Sequence, residues 1–260
     1  MGQTAYTRWP LPGHADAHWW SRPYGETLED LEVDLQGTAP FVTTDILCGC
    51  LCTDDKPLTR DEVWSWTVNR RLQGLLAVTL ATRGELLILT AHCQQQACSQ
   101  PMDLPLRIRD FLQSDDPLQV DVQSEGDQAV EIRLPTGNDQ RAWLQEGHFS
   151  PDQMLERLIR EPLNTTLSAE WFENIEAALM VADPLTILEI ETLCPECGAT
   201  NHLPVDLEHE CLNSLAAEQP RLFDEIHQLA SAYHWSEAEI LAIPVERRRH
   251  YLRRVMEAWQ

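Results

Sequence analysis

No apolar run in this chain approaches the roughly 20 residues that a membrane-crossing helix needs, so no bilayer span is expected. The opening residues, with Thr4, Arg8, Pro10 and Pro12, lack the apolar stretch of a secretory signal. Met1-Gly2 looks like the start of a myristoylation site, but Tyr6 stands where that motif wants serine or threonine. The expectation is an unprocessed cytoplasmic protein. Positive charge is scarce: 19 Lys and Arg face 42 Asp and Glu, a net charge of −23. Such a field repels phosphate backbones and anionic lipid, which argues against a general nucleic-acid or membrane binder and favours basic protein partners. Also missing are a nucleotide-binding glycine loop, a Gly-x-Ser-x-Gly elbow and a His-Glu-x-x-His helix. The carboxylate pairs Asp54-Asp55 and Asp115-Asp116 are adjacent residues that face apart, as solvated loop charges do. Nothing argues for an enzyme or a small-molecule substrate.

What the chain does have is 260 residues, 43% of them apolar, enough to bury a core as one large domain or two small ones. Residues 1–45 read as a flexible arm, with Pro10, Pro12, Pro23 and Pro40, an acidic run over Glu26–Asp34, and aromatic punctuation at Trp9, Trp19, Trp20 and Tyr24. Those aromatics either anchor a partner, Trp19 and Trp20 foremost, or pack back on the chain's own core. Residues 46–135 hold a helix and strands. Thr59-Arg-Asp-Glu62 is a capping box, and Trp64, Val68, Leu72 and Leu75 continue from it at helical spacing. Leu86–Leu89 reads as a strand entering Cys93, Met102–Ile108 as one leaving Cys98, and Val120–Val122 with Val130–Leu134 as a further pair. Residues 136–183 form a helical insertion, with starts at Ser150-Pro151 and Ser168. Residues 184–212 bring strand character back at Leu185–Ile190, leading into Cys194. Residues 213–260 read as a three-helix tail: Leu222, Ile226, Leu229 and Tyr233 trace one stripe, Ser236–Glu239 caps a short helix, and Pro244 opens the last.

Two segments repeat in outline. Leu86–Ile108 runs strand, Cys93-x4-Cys98, Leu104-Pro105-Leu106, and Leu185–Leu207 runs strand, Cys194-x2-Cys197, Leu203-Pro204-Val205. Each is a cysteine knuckle between an outgoing and a returning strand. A knuckle supplies two thiolates, whereas a closed structural zinc site wants four ligands, so the pair together completes one site on Cys93, Cys98, Cys194 and Cys197. Gly198 suits the positive φ that follows a metal-binding turn. Four sulfurs suit zinc or an iron centre, with zinc the commoner structural choice. Other readings stand beside this one: a redox pair, which belongs at a helix N-terminus rather than between strands; unligated buried thiols; or replacement of a sulfur by His92 or His202. Glu196 is the carboxylate that a catalytic zinc would need nearby. Cys48-Gly-Cys50-Leu-Cys52 alternates onto one face if it is a strand. These cysteines are either small core residues or, with Cys211, part of a second metal site.

The stretch from Ala182-Asp-Pro184 through Cys194-Pro-Glu-Cys-Gly198, then Phe223–Ala230, Tyr233-His-Trp-Ser-Glu237, Ile240-Leu241 and Arg247-Arg-Arg249-x-Tyr-Leu252, resembles a family encoded with contractile phage tails and phage-tail-like injection systems. Its members are labelled baseplate proteins or baseplate hub assembly chaperones. The likeness extends upstream through Arg70/Arg71, Leu75-Leu76, the Cys93/Cys98 knuckle and Arg133-Leu-Pro-Thr-Gly-x-Asp139, and so covers most of residues 60–260. The chain departs from the pattern at His234, where glycine is expected, and in its wider first knuckle. The resemblance implies a non-catalytic structural or assembly role among tail and baseplate subunits, in the cytoplasm or within an assembled tail-like particle.

The expected fold is therefore α+β: a small zinc-ribbon-like β centre made of two cysteine knuckles, a helical insertion and a C-terminal helical tail. Arg247, Arg248, Arg249 and Arg253 form a basic end that suits an acidic subunit, or simply a solvated helix face that complements its C-terminal dipole. The alternative functions are a zinc-ribbon nucleic-acid-binding or regulatory protein that uses those arginines, and a zinc hydrolase.

Overall fold

The computed structural model describes residues 7–9, 19–53, 56–112, 119–123, 129–147, 149–160, 168–186 and 188–258. In chain order its elements are β1 (Thr7–Trp9), β2 (Trp19–Ser21), α1 (Leu28–Leu31), α2 (Ala39–Cys50), β3 (Leu51–Thr53), β4 (Lys56–Pro57), α3 (Arg60–Ser65), α4 (Val68–Arg83), β5 (Leu86–His92) and β6 (Pro101–Arg107). There follow β7 (Gln119–Gln123), β8 (Ala129–Arg133), α5 (Gly137–Glu146), α6 (Pro151–Glu156), α7 (Ala169–Ala182), β9 (Leu188–Leu193), β10 (Thr200–Val205), α8 (Leu207–Ala216), α9 (Glu218–Tyr233), α10 (Glu237–Leu241) and α11 (Val245–Ala258). The fold is mixed, with helices around small antiparallel sheets: β1 to β4 in order, and the separate hairpins β5–β6, β7–β8 and β9–β10. No helix of the described residues is long and apolar enough to cross a membrane.

The main core is arranged around α4, whose residues Asn69 to Leu80 are all buried. A helix without a solvent face must satisfy its polar side chains internally. The Arg71 guanidinium donates to the carbonyls of Val63 (3.1 Å) and Pro40 (2.6 Å) and to Thr44 Oγ1 (3.0 Å). Asn69 Nδ2 donates to Asp183 Oδ1 at 2.8 Å, and Gln73 Nε2 to the Phe111 carbonyl at 2.9 Å. Gly74 lets α2 lie close, since a Cβ there would stand 2.8 Å from Leu47 Cδ2. The main core joins Ile46 and Leu47 of α2, Leu75, Leu76 and Val78 of α4, Leu87 and Leu89 of β5, and Cys211, Leu212 and Leu215 of α8.

The helix expected to run on from Thr59 is two helices. Thr59 does cap the first, its hydroxyl accepting from Glu62 N. The chain then breaks at Trp66-Thr67, because this dipeptide pairs as a short bridge with residues 135–137: Val68 N donates to Pro135 O (2.8 Å) and Gly137 N to Trp66 O (2.9 Å). Thr67 caps the new start, accepting from Arg70 N.

The flexible arm expected over residues 1–45 is, from β2 onward, part of the packed fold. Arg22 and Asp30 form a buried bidentate ion pair at 2.5 and 2.8 Å. Asp30 Oδ2 also accepts the N–H groups of Gly25, Glu26 and Thr27 at 2.9 to 3.2 Å. Tyr24, 5% exposed, donates to the Asp30 carbonyl at 2.6 Å. Proline content and the acidic run suggest disorder, but here they shape a turn whose one buried acid has its own arginine. The condition under which Cys48, Cys50 and Cys52 would share one face, a single strand, is not met. Apolar and threonine side chains carry α2 through Cys50 before β3 begins, so the three thiols do not share a strand face.

Hairpin β7–β8, grouped on sequence with the first cysteine hairpin, packs instead with the helical insertion: Val122, Val130 and Ile132 meet Ile175 of α7. At the C-terminal end α8 starts at Leu207, where Asp206 accepts from His209 N, earlier than the expected tail. Leu222, Ile226 and Leu229 of α9 form a second core with Ile240 and Leu241, against which Tyr233, Trp235 and Tyr251 pack. Their rings lie 4.6 to 5.6 Å apart.

Candidate metal centre

The two cysteine hairpins stack face to face through their inward positions. Ala91, Cys93, Met102 and Leu104 of the first meet Cys194 and Leu203 of the second. Both knuckles are closed by backbone bonds. Cys93 N donates to Gln100 O at 2.9 Å, and Cys98 N to Gln95 O at 2.9 Å. In the second knuckle Cys194 N donates to Ala199 O and Gly198 N to Cys194 O, both at 2.9 Å. Gly198 has φ +72° with nothing within 4 Å of a would-be Cβ, so glycine is favoured there by backbone conformation alone.

This stacking brings Cys93, Cys98, Cys194 and Cys197 together, with all four sulfurs within 4.8 Å of one another. The thiols are free, and the contacts between hairpins are Cys93 Sγ to Cys197 Sγ at 3.7 Å and Cys98 Sγ to Cys194 Sγ at 3.8 Å. A four-sulfur tetrahedron with metal–sulfur bonds of about 2.3 Å has edges of about 3.8 Å. The sulfurs are thus spaced for a metal ion and too far apart for disulfides, whose bond is about 2.05 Å. The cluster could hold a metal ion; its geometry does not choose which.

Backbone N–H groups point at the sulfurs. Those of Cys197 and Glu196 hold the Cys194 thiol down to about 7. The Gln95 N–H favours the Cys93 thiolate, but burial and the neighbouring sulfurs carry that thiol upward; Cys98, with the Gln100 N–H, goes up to about 12 for the same reasons. Four sulfurs this close resist ionising together unless a cation joins them, and a cation inverts that preference.

Two residues that spacing did not single out hold the knuckles in register. Asn201, fully buried, accepts from Gln94 N at 2.7 Å and donates to Ala199 O at 2.9 Å. The Gln94 side chain exchanges bonds with the His202 backbone, donating to its carbonyl at 2.7 Å and accepting from its N–H at 3.0 Å. A signal for Asn201 did exist: it is the polar member of an inward series with Leu203 and Val205.

No protein-family model, curated protein or solved structure matches this chain.

The remaining candidates fall elsewhere. His92 and His202 are exposed and outside the sulfur cluster, with His202 Nδ1 3.3 Å from Glu189. Glu196 is exposed. Burial pushes the thiols of Cys48 to about 11 and Cys211 to about 12, and raises Cys50 as well, so these cysteines sit as protonated thiols. Among the described residues they form no second cluster. Arg248, expected to face a partner, is 1% exposed: its Nε lies 3.1 Å from Glu225 Oε1 and its Nη atoms reach Gly25 O at 3.4 and 3.5 Å. It shares the inward stripe of α11 with Tyr251, Leu252 and Val255, and this places it inside. Arg247, Arg249 and Arg253 are exposed, with Arg249 paired to Glu246 at 2.8 Å. Trp20 is half-buried in β2, and the side chain of Trp19 lies outside the described residues.

Proposed function

We propose that one zinc ion, held by Cys93, Cys98, Cys194 and Cys197 in a zinc-ribbon-like pair of knuckles, staples the centre of a non-enzymatic structural or assembly protein of the baseplate region of a contractile tail-like injection system. The observation that carries the metal is the convergence of four sulfurs within 4.8 Å of one another, the two contacts between hairpins at tetrahedral edge length, from segments about a hundred residues apart. Thiolate softness favours zinc over magnesium or calcium, and four sulfur ligands leave no coordination position for a reactive water. The ion supplies a cross-link.

The baseplate role rests on the family resemblance. Two observations support using it. The resembling residues Tyr233, Trp235, Ile240, Leu241, Tyr251 and Leu252 build one cluster. His234, where the pattern wants glycine, ends α9 in the left-handed conformation that glycine adopts most readily, φ +57°.

Elemental analysis tests the metal: one zinc per chain is expected in the wild type, and none in Cys194→Ser/Cys197→Ser. Metal-free wild type, prepared without chelator, would end this half of the proposal. Co-expression with baseplate subunits of a contractile tail tests the role, through stoichiometric co-elution that survives a sizing column. Separate elution of every subunit from the chain would remove it.

A further inference from the structure

Together the two cysteine hairpins present four strand edges, and three of them are guarded. The register shows how. Cys93 and Ile108 donate to Gln100 and Glu85 at the two ends of β5–β6. The alternate pairs Leu86–Arg107, Ile88–Pro105, Thr90–Asp103 and His92–Pro101 therefore turn their backbone groups outward. Pro101 and Pro105 lack two of the donors that the outer edge of β6 would otherwise offer. In β9–β10 the Cys194–Ala199 bond sets the same phase, so Pro204 blocks the edge of β10 while exposed Glu189 and Glu191 line that of β9. Edge prolines and edge charges both discourage strand pairing.

The edge of β5 has neither device. Its outward set is Leu86, Ile88, Thr90 and His92, and Leu86 and Ile88 are each 54% exposed. Among the described residues nothing bonds the outward backbone groups of Leu86, Ile88 and Thr90. An unpaired row of N–H and C=O groups beside alternating apolar side chains selects an extended backbone rather than a helix.

We infer that β5 is the docking edge for an extended segment of a partner protein, which adds to β5–β6 as a third strand. Beside Leu86 and Ile88 the segment would carry apolar or β-branched residues at alternate positions. It would be neutral or basic overall, because the chain's charge of −23 repels acidic partners. The same charge opposes a second copy, which would bring two such fields together along paired β5 strands. The inference rests on the assembly reading only in taking the partner to be a protein. It does not depend on which metal occupies the centre.

The probe is a short peptide alternating threonine and valine between terminal lysines, added to the full chain. A matched peptide with methylated backbone nitrogens keeps the side chains and loses the donors. Binding of the first and not the second is expected, with slowed amide exchange at Ile88 and Thr90. Ile88→Pro copies the guard at Pro105, and Ile88→Glu copies the edge of β9; each should weaken binding by about tenfold or more. Unchanged metal content in each variant reports an intact fold and keeps this test separate from that of the metal. Equal binding by both variants with metal retained would overturn the proposal. So would failure of the wild type to bind at about 1 mM peptide. A wild-type dimer that Ile88→Glu dissociates would overturn it too, by making a second copy the occupant.

Discussion

The two cysteine hairpins share a plan and differ in what holds them. β5–β6 is seated on the main core through Leu87, Leu89 and Leu106, all under 9% exposed. β9–β10 contributes Val205 to that core, but Leu188 and Ile190 are only half-buried against it. The knuckles invert this order. The second is tight, with Gly198 at φ +72° and two N–H groups on Cys194. The first is wider and turns through Ser99 at φ +46°, a conformation that a non-glycine residue adopts at some cost. The first hairpin thus takes its stability from the core and its knuckle geometry from Asn201 of the second. The second has a well-formed knuckle and needs the shared site to hold it down. A repeat can be symmetric in sequence while its two copies divide the work.

Removing the proposed metal should break the comparison most sharply. Chelation is expected to strip hydrogen-exchange protection from β9–β10 while β5 keeps most of its own. Equal loss in both hairpins would mean that the core does not distinguish them. Next in size is a pair of truncations. Leu89→Ala should cost about 3 kcal/mol in urea unfolding. Ile190→Ala, less buried, should cost about 1 kcal/mol.

Asn201→Ala leaves the Gln94 N–H, at a part-buried position, without its partner, at a cost of about 1 kcal/mol. It should also weaken metal retention by roughly tenfold against a competing chelator. Retention at the wild-type level would show that the first knuckle needs no support from the second. The smallest effects are at the turns: Gly198→Ala should destabilise by about 1 kcal/mol, and Ser99→Gly should be neutral or stabilise by a few tenths. Thermal unfolding of the metal-loaded protein measures both.

How legible each part was in the sequence follows from how far apart its determinants lie. The four sulfurs were readable because a knuckle is local and its repetition with Leu-Pro-apolar triplets is visible along the chain. Capping residues Thr59, Ser150, Ser168 and Ser236 were readable for the same reason, and each accepts the expected N–H. The break at Trp66-Thr67 was not, since it depends on pairing with residues 135–137. Neither was the packing of residues 20–50 into the fold, since composition cannot show that Arg22 and Asp30 find each other or that Asp30 collects three backbone donors. Gln94 escaped notice because its partners, Asn201 and His202, lie more than a hundred residues away. Arg248 was misplaced by counting arginines as a cluster; its spacing from Tyr251, Leu252 and Val255 puts it on the inward stripe.

The clasp between Arg248 and the carbonyl of Gly25 has a consequence for the timing of folding. Those two residues are separated by 223 positions. Synthesis at roughly 5–20 residues per second puts tens of seconds at most between their emergence from the ribosome. Burial raises the carboxyls of Glu26 and Glu225; Arg22 and then Arg248 pull the first back, Arg248 and then Arg249 the second, so until Arg248 arrives Glu225 lacks its main compensating cation. The turn at residues 22–30 can close early around Arg22 and Asp30. Gln219 of α9 can then bond Tyr24 and the Leu31 and Val33 carbonyls, but the Arg248–Gly25 clasp must wait for α11, which makes it one of the last bonds along this seam to form.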